Sequence, residues 1–326
     1  DWDINDAWSF VASGQFVHAE TQFDDVDFID TGLPVDTDRV TKADRTYLRG
    51  EMRYKPLGSR WSGNASVNYT DSDNRNFYDG VFNSSTSADV VDARARGSVL
   101  LGEERRHRLT GAFDYIDTDF SQRGEALPWG DPNQDQSYDQ TSVAAEYVGK
   151  YESGFTWTAS ARYNDFSDFD DITTWQTAFS YQASGTLRLR GSIGTGFKAP
   201  TFTERYGFYP DQFIGNPDLK PEKSRGWELG FDSHSADRTV TFGAVYFNSR
   251  LEDEIDGFVF DPETFLFTAK NRDTDSHRKG LELIFDWKPL AYLDIAANYT
   301  YTDSTEPIGE EDIRELRRPR HMGSLT

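Results

Sequence analysis

The feature that most constrains this chain is a strict alternation of apolar and polar residues over segments of about ten residues. In WSGNASVNYT, residues 61–70, the odd positions carry Trp, Gly, Ala, Val and Tyr, and the even positions carry Ser, Asn, Ser, Asn and Thr. The same alternation runs through residues 155–164 and 293–301. Because successive side chains of a strand point to opposite faces, each segment predicts a β-strand with one apolar and one polar face. The chain is therefore predicted to be all-β.

About fourteen such strands follow one another, and their connections alternate in length. Short connections are predicted at Lys55–Arg60, Gly102–Arg106, Gly149–Gly154, Ala183–Thr186, Ser233–Arg238 and Lys288–Tyr292. Long connections are predicted at Thr21–Asp44, Asp71–Val90, Thr118–Ser137, Lys198–Lys223 and Asp303–Glu315. Residues 239–260 and 265–287 are predicted as two unusually long strands joined by a tight hairpin. An antiparallel up-and-down meander with short turns at one end and long loops at the other is the plan of a transmembrane β-barrel.

Composition agrees with such a barrel and argues against several other classes. Aromatic residues make up 15% of the 326 residues, against 36% hydrophobic residues in total, which suits half-buried strands. No apolar run approaches the roughly 18 residues that indicate a membrane-spanning helix. The formal net charge of −22 argues against nucleic acid as a partner, since a phosphate backbone requires clustered Lys and Arg. The chain has no cysteine, so neither disulfides nor thiolate chemistry enter.

Charged residues on the polar faces indicate the width of the interior. Arg49, Glu51 and Arg53 share one face of their strand, and Arg94 and Arg96 share a face of another. Unpaired charges are costly to bury, so we expect a wide lumen that holds water or a polar plug. Aromatic residues near the predicted strand ends are interpreted as interfacial girdles, namely Trp61, Tyr69, Tyr163, Trp175, Tyr181, Trp227, Trp287 and Tyr301.

The stretch between two of these strands carries a family resemblance. GTGFKAPTFTERYGF (194–208) followed by GNPDLKPEKSRGWELGF (215–231) resembles the barrel of TonB-dependent outer-membrane transporters. Residues 161–182, 270–287 and 317–321 match further pieces in the family's order. The resemblance implies a 22-stranded barrel. About fourteen of those strands are expected in residues 1–326, as a single β-barrel domain, with the plug domain, the first strands and the C-terminal strands missing from a fragment.

The resemblance also implies a function. Such a receptor sits in the outer membrane of a Gram-negative bacterium, surrounded by lipid, and imports a scarce, bulky ligand without breaking a bond in it. The TonB–ExbB–ExbD complex supplies energy through the plug. ERYGFYPDQFIGNPDLKPEKS and TTWQTAFSY are most similar to the cobalamin (vitamin B12) branch. A ferric-siderophore or haem receptor of the same family is the alternative, and a passive porin is a weaker one. No nucleophile and base are found that would make the chain an enzyme.

Ligand contacts are expected from aromatic residues of the long connections, because flat rings cover a corrin or a catecholate with little loss of conformational entropy. Arg205 is a candidate partner for an anionic group of the ligand. In the alternative interpretation, the YGFY segment packs its connection against the barrel wall. The predicted ligand-binding residues are Tyr78, Phe82, Trp129, Arg205, Tyr206, Phe208, Tyr209 and Phe213.

A calcium site is the one metal site that the sequence suggests. The connection TQFDDVDFIDTGLPVDTD (21–38) holds six Asp among eighteen residues, and clustered carboxylates attract hard cations. The resemblance implies calcium here, since cobalamin transporters use it to order surface loops, and the candidate ligands are Asp27, Asp30, Asp36 and Asp38. A solvated acidic loop is the alternative. The five His residues have no spacing typical of zinc.

Overall fold

A computed structural model describes residues 1–27, 31–128, 130–209, 212–308, 311–315 and 318–326. Within these ranges the main element is one sixteen-stranded sheet, in which every pair is antiparallel. Its strands are β1 Trp2–Asp3, β2 Trp8–Val26, β3 Pro34–Tyr54, β4 Trp61–Tyr78, β5 Val81–Leu101, β6 His107–Gly124, β7 Gln134–Lys150, β8 Phe155–Phe166, β9 Ile172–Gln182, β10 Leu187–Lys198, β13 Glu222–His234, β14 Val240–Glu252, β17 Ser276–Leu290, β18 Leu293–Ile308, β19 Glu311–Arg314 and β20 His321–Leu325.

The strands of this sheet lie side by side in chain order. The path runs from β1 to β10 and on through β13, β14, β17, β18 and β19, and β20 also pairs with β18. Three of the short turns, Lys55–Arg60, Gly102–Arg106 and Ala183–Thr186, have the predicted bounds. The predicted all-β, antiparallel up-and-down architecture is therefore confirmed.

The strands are longer than the sequence indicated, and most of the long connections are correspondingly short. Strands β2 to β7 have 17 to 21 residues each, whereas about 9–11 residues cross a bilayer. The predicted loops at 21–44 and 71–90 were wrong, since β2 continues to Val26, β3 begins at Pro34, and only residues 79–80 separate β4 from β5. Their Asp, Asn and Ser residues remain in the strands because the backbone hydrogen bonds there are made with the neighbouring strands. At the β4–β5 turn, Asp79 and Gly80 both have positive φ (49° and 73°), which is typical of a two-residue Asp-Gly hairpin.

A second, small sheet forms at the long-connection end. It contains β11 Phe208–Tyr209, β12 Phe213–Ile214, β15 Ile255–Asp261 and β16 Leu266–Asn271 in the order β11-β12-β16-β15, and a short helix α1, Phe202–Tyr206, precedes it. The expectation of two long strands over 239–260 and 265–287 was therefore wrong. Each splits into a strand of the large sheet and a strand of the small one, and the chain turns at Asp253, whose φ is 54°. The described residues contain no helix long and apolar enough to cross a membrane.

Burial in the large sheet is the reverse of that in a soluble protein. Polar side chains are buried on one face, including Ser142 and Asn164, which are 1% and 0% exposed. Large apolar side chains on the other face, such as Trp61, Val67 and Leu229, are 63%, 56% and 54% exposed. A closed core of apolar residues is found instead in the small sheet, where Phe213, Leu219, Ile255 and Ala269 pack together. The large sheet thus presents its apolar face outward and its polar face to the interior.

Several charged residues of the interior face are paired. Glu51 is 6% exposed and accepts hydrogen bonds from Arg49 and Arg53, each at 2.9 Å, and from Asn64 at 3.2 Å. Arg162 pairs with Asp114 and donates to Asn164 Oδ1 at 2.7 Å. These contacts satisfy buried charges that would otherwise destabilise the wall.

Candidate ligand-binding site

A cavity of about 590 Å³ lies where the extended ends of β2 to β6 meet the small sheet. Three residues predicted to contact a ligand, Tyr78, Phe208 and Tyr209, line it. They are far apart in the sequence and are brought together because the β4–β5 hairpin rises as high as the connection that follows β10. A cavity of this volume with aromatic walls and a few polar groups has the character of a small-molecule site.

Tyr78 is held by the β-ladder and by a cation. It is the last residue of β4 and lies opposite Arg39 of β3 in the register. The guanidinium of Arg39 sits 5.3 Å from the centre of the Tyr78 ring, in cation–π contact, and also pairs with Asp25 of β2. Arg39 lines the cavity too. One wall of the site is therefore made by three neighbouring strands.

Phe208 and Tyr209 are held by the opposite wall. They form β11, and the side-chain amide of Gln122 on β6 donates to the carbonyl oxygen of Phe208 at 2.8 Å. Gln134 at the start of β7 donates in the same way to the carbonyl oxygen of Tyr206. Gln122 is 3% exposed, so its amide is committed to this role. The interior face of the barrel thus fixes the backbone that carries both rings.

Gly130 makes room for the Phe208 ring. A Cβ built at position 130 would lie 2.6 Å from both Cε atoms of Phe208, closer than any real Cβ contact. Only glycine therefore lets the connection between β6 and β7 pass over the ring. The neighbouring Trp129, also predicted as a ligand contact, lies outside the described residues.

Arg205 lies beside the cavity, within a loop cluster formed by α1, the small sheet, the β8–β9 turn and the segment that leads to β13. Its Nη1 donates to Asp168 Oδ2 at 2.9 Å, its Nη2 is 3.3 Å from the Pro217 carbonyl oxygen, and the whole residue is 8% exposed. The rings of Phe169 and Tyr206 flank the guanidinium at 5.6 and 4.8 Å. Protein groups therefore surround the charge that was expected to meet an anionic ligand, and the ligand role of Arg205 stays a prediction.

Helix α1 contains Arg205 and Tyr206 and fixes their positions. Thr201 caps the helix, since its Oγ1 accepts from Glu204 N at 3.2 Å while Glu204 Oε2 accepts from Thr201 N at 2.7 Å. This reciprocal capping box stabilises a helix of only five residues. Burial raises the pKa of the Tyr206 phenol above its usual value, so that side chain stays neutral. The loop cluster is thus ordered by local chemistry as well as by the barrel wall.

The two remaining predicted aromatic contacts have different environments. Phe82 is 49% exposed and meets Phe77, a cavity residue, edge to face at 6.2 Å. Phe213 is 6% exposed and packs in the small apolar core, where it stacks on Phe258 at 6.4 Å. Phe82 therefore lies at the edge of the cavity, and Phe213 belongs to the small apolar core and not to the cavity lining.

The acidic residues expected to bind calcium lie at the β2–β3 hairpin. Asp27 accepts a hydrogen bond from Thr31 Oγ1 at 3.0 Å, and its backbone pairs with Gly32 and Leu33 across the turn. Asp36 and Asp38 are exposed on β3, and Asp30 lies outside the described residues. Among the residues that the structure describes, no three His, Asp or Glu side chains converge on one point. The calcium site stays a prediction.

The sequence missed the polar half of this cavity. Arg39, Asn76 and Gln122 line it, and all three fall within the long connections that the sequence predicts. The signal was present in the alternation itself, because each of the three continues the interior-facing register of its strand. Extending the period of two beyond the apolar residues would have found them.

The comparison with protein families gives one result for the whole chain. A family model described as TonB dependent receptor-like, beta-barrel, matches residues 1–326.

Solved structures of similar fold include receptors from three different bacteria. A mutant of the ferric enterobactin receptor PfeA from Pseudomonas aeruginosa has 16% identity and a TM-score of 0.73, covering 92% of this chain and 50% of that one. The alcaligin outer-membrane receptor FauA from Bordetella pertussis has 15% identity and a TM-score of 0.67, covering 99% and 54%. A double mutant of the hemophore receptor HasR from Serratia marcescens, in complex with its hemophore HasA and heme, has 14% identity and a TM-score of 0.68, covering 90% and 52%. The chain spans about half the length of these receptors, and identities this low show the fold alone.

Proposed function

The chain belongs to the TonB-dependent receptor β-barrel family, and on this premise we propose that it is part of an outer-membrane receptor that imports a scarce, bulky ligand. The observation that carries the proposal is the aromatic-walled cavity of about 590 Å³ at the long-connection end, which faces the cell exterior if the short turns face the periplasm. Tyr78, Phe208 and Tyr209 would cover the ligand there. No bond in the ligand is broken.

The ligand is proposed to be a ferric chelate, with cobalamin as the second candidate. The similar solved receptors named above are a ferric enterobactin receptor, an alcaligin receptor and a hemophore receptor in complex with its hemophore and heme, which supports an iron-containing ligand. Residues 204–224 and 173–181 resemble the cobalamin branch, which supports the corrin. Both ligands are bulky and both offer flat surfaces to aromatic rings.

Energy for import is proposed to come from the TonB–ExbB–ExbD complex, acting through a plug domain inside the barrel. The interior face supports this, because paired charges such as Glu51 with Arg49 and Arg53 form a polar wall against which a hydrated domain can slide. The apolar outer face, with Leu229 54% exposed, supports a place in the outer-membrane lipid. Calcium at Asp27, Asp30, Asp36 and Asp38 is a further proposal, which repeating ligand titrations with a chelator would test.

Uptake by the intact receptor in living cells tests the proposal. Import of radiolabelled ferric siderophore or cyanocobalamin should stop when an uncoupler collapses the proton-motive force, because active import depends on it. Uptake that continues unchanged would indicate a passive porin and would overturn the proposal.

Ligand affinities of single-residue variants test the cavity separately from the barrel as a whole. Tyr78→Ala and Phe208→Ala should each weaken binding about tenfold or more, since a stacked ring contributes about 1 kcal/mol beyond its buried area. The matched control is Tyr292→Ala, a tyrosine that is 86% exposed in the short turn between β17 and β18. Equal affinity for all three variants would remove the cavity from the proposal.

A further inference from the structure

The charges around the cavity are few and balanced. Among the described residues, its lining contains one cation, Arg39, and one anion, Glu125. The positive charge of Arg39 is already paired with Asp25, and its guanidinium also covers the Tyr78 ring. Glu125 is exposed and belongs to the connection between β6 and β7. The described walls therefore hold no surplus positive charge.

Four neutral amides lie in the lining instead, namely Asn76, Asn83, Gln122 and Gln212. Asn76 accepts from Thr41 Oγ1 at 2.7 Å within the barrel wall, and Gln122 donates to the Phe208 carbonyl oxygen of β11 at 2.8 Å. The side chains of Asn83 and Gln212 line the cavity and hydrogen-bond to no other described residue. The Nε of Arg39 is likewise buried without a partner in the described part of the chain. A free amide offers both donors and an acceptor, and so matches amide and carbonyl groups of a ligand.

We propose that this cavity selects a bulky ligand of low net charge that carries amide or hydroxamate groups, and rejects a trianionic triscatecholate chelate. The proposal rests on the proposed function and narrows its ligand class. A trianion that leaves water needs several fixed cations to replace its hydration, and the described lining offers only Arg39, which is already paired. The formal net charge of −22 adds repulsion at longer range.

Three probes test the proposal on the intact receptor in detergent. They are ferrichrome, a neutral ferric trihydroxamate; cyanocobalamin, a neutral amide-bearing corrin; and ferric enterobactin, a trianionic triscatecholate. Dissociation constants are measured by quenching of tryptophan fluorescence. At least one neutral probe should bind about tenfold or more tightly than ferric enterobactin. Whichever of ferrichrome and cyanocobalamin binds more tightly shows whether the cavity recognises the hydroxamate groups of a siderophore or the amide groups of a corrin.

Substitutions at Gln212 make the test specific to the cavity. Gln212→Lys adds a cation beside the ligand and should raise the affinity for ferric enterobactin about tenfold, while the affinity for the neutral probe changes less than about threefold. Gln212→Glu has nearly the same shape and should weaken ferric enterobactin binding further. Ion screening should also tighten trianion binding by the wild type as salt is raised, and leave the neutral probes unchanged.

The failures are distinguishable. Tightest binding of ferric enterobactin by the wild type overturns the charge proposal and leaves the proposed function in place. A Gln212→Lys variant that treats all three probes as the wild type does overturns the role of this cavity in selection. Failure of all three probes to bind overturns the proposed ligand class, whereas the proposed function is decided separately by the uptake experiment with an uncoupler.

Discussion

Arg205 Nη1 donates to Asp168 Oδ2 at 2.9 Å, and this ion pair joins helix α1 to the turn between β8 and β9. The same guanidinium reaches the Pro217 carbonyl oxygen at 3.3 Å, in the segment that leads back to β13. One side chain therefore ties three parts of the loop cluster together. Because Tyr206, Phe208 and Tyr209 follow it directly, the ion pair also determines where the aromatic wall of the cavity stands.

Replacing Arg205 with Ala should loosen the loop cluster. Breaking a fully buried ion pair leaves its partner uncompensated and costs about 3–5 kcal/mol. The Arg205 and Asp168 side chains are 9% and 28% exposed, so water compensates part of the Asp168 charge and the cost should lie below that range. We expect faster hydrogen exchange of the amides of α1 and weaker ligand binding. Arg106→Ala is the matched control, because its pair with Glu152 joins two short turns, is 38% and 77% exposed, and such pairs contribute little. Unchanged exchange in Arg205→Ala would show that the pair does not order the loop.

Gly130→Ala should displace the Phe208 ring. The added Cβ occupies the space of the ring, and overpacking of this kind costs about 1–3 kcal/mol. Ligand affinity should fall about tenfold, measured by fluorescence titration. Gly97→Ala is the control, since a Cβ there meets no atom within 4 Å. If both variants bind ligand as tightly as the wild type, Phe208 does not form the cavity wall in solution.

Leu229→Arg should impair assembly in the membrane. Leu229 is 54% exposed on the apolar face of β13, and an Arg facing lipid costs about 2–4 kcal/mol near the bilayer midplane. Ser192→Arg on β10 should be tolerated, because Ser192 lies opposite Glu228 on the interior face. Heat-modifiable gel mobility of outer-membrane fractions measures the folded fraction of each variant. The reverse ranking would contradict the assignment of the two faces.

The pairing of β18 with β19 should weaken in acid because of Glu315. Burial alone would raise the pKa of this carboxyl, but hydrogen bonds from Ser304, Arg318 and Arg278 lower it from 4.5 to about 2. The folded pKa is below the unfolded one, so the stabilisation is present above about pH 4.5 and is lost as the pH falls towards 2.

Hydrogen exchange of the β19 amides as a function of pH measures this effect. Protection is expressed as the exchange rate relative to that of an unstructured chain at the same pH. Glu315→Gln should remove the pH dependence of this protection, because an amide side chain does not titrate in this range. Glu152→Gln in the exposed turn after β7 should leave it intact, since that side chain is 77% exposed. A wild type whose β19 exchange shows no acid-dependent opening would contradict the role of Glu315.

Sequence patterns located the strands better than they located their ends. The alternation from Trp61 to Thr70 placed β4 correctly at its apolar end, and the turn 55–60 before it has the predicted bounds. The same strand continues to Tyr78 through polar residues, where no apolar face is left to mark it. Strand propensity scales undervalue Asp and Asn, but a neighbour on each side satisfies the backbone regardless of the side chain.

The order of residues along the chain determined which face of each strand is apolar, because the period of two is a local property of extended backbone and needs no partner. The tertiary structure alone decided that Tyr78 and Phe208 line the same cavity, and that Asp168 forms an ion pair with Arg205. Those contacts depend on strand register, on how far each hairpin rises, and on the folding of one connection against another. No local pattern encodes these, because the residues concerned lie between 37 and 130 positions apart.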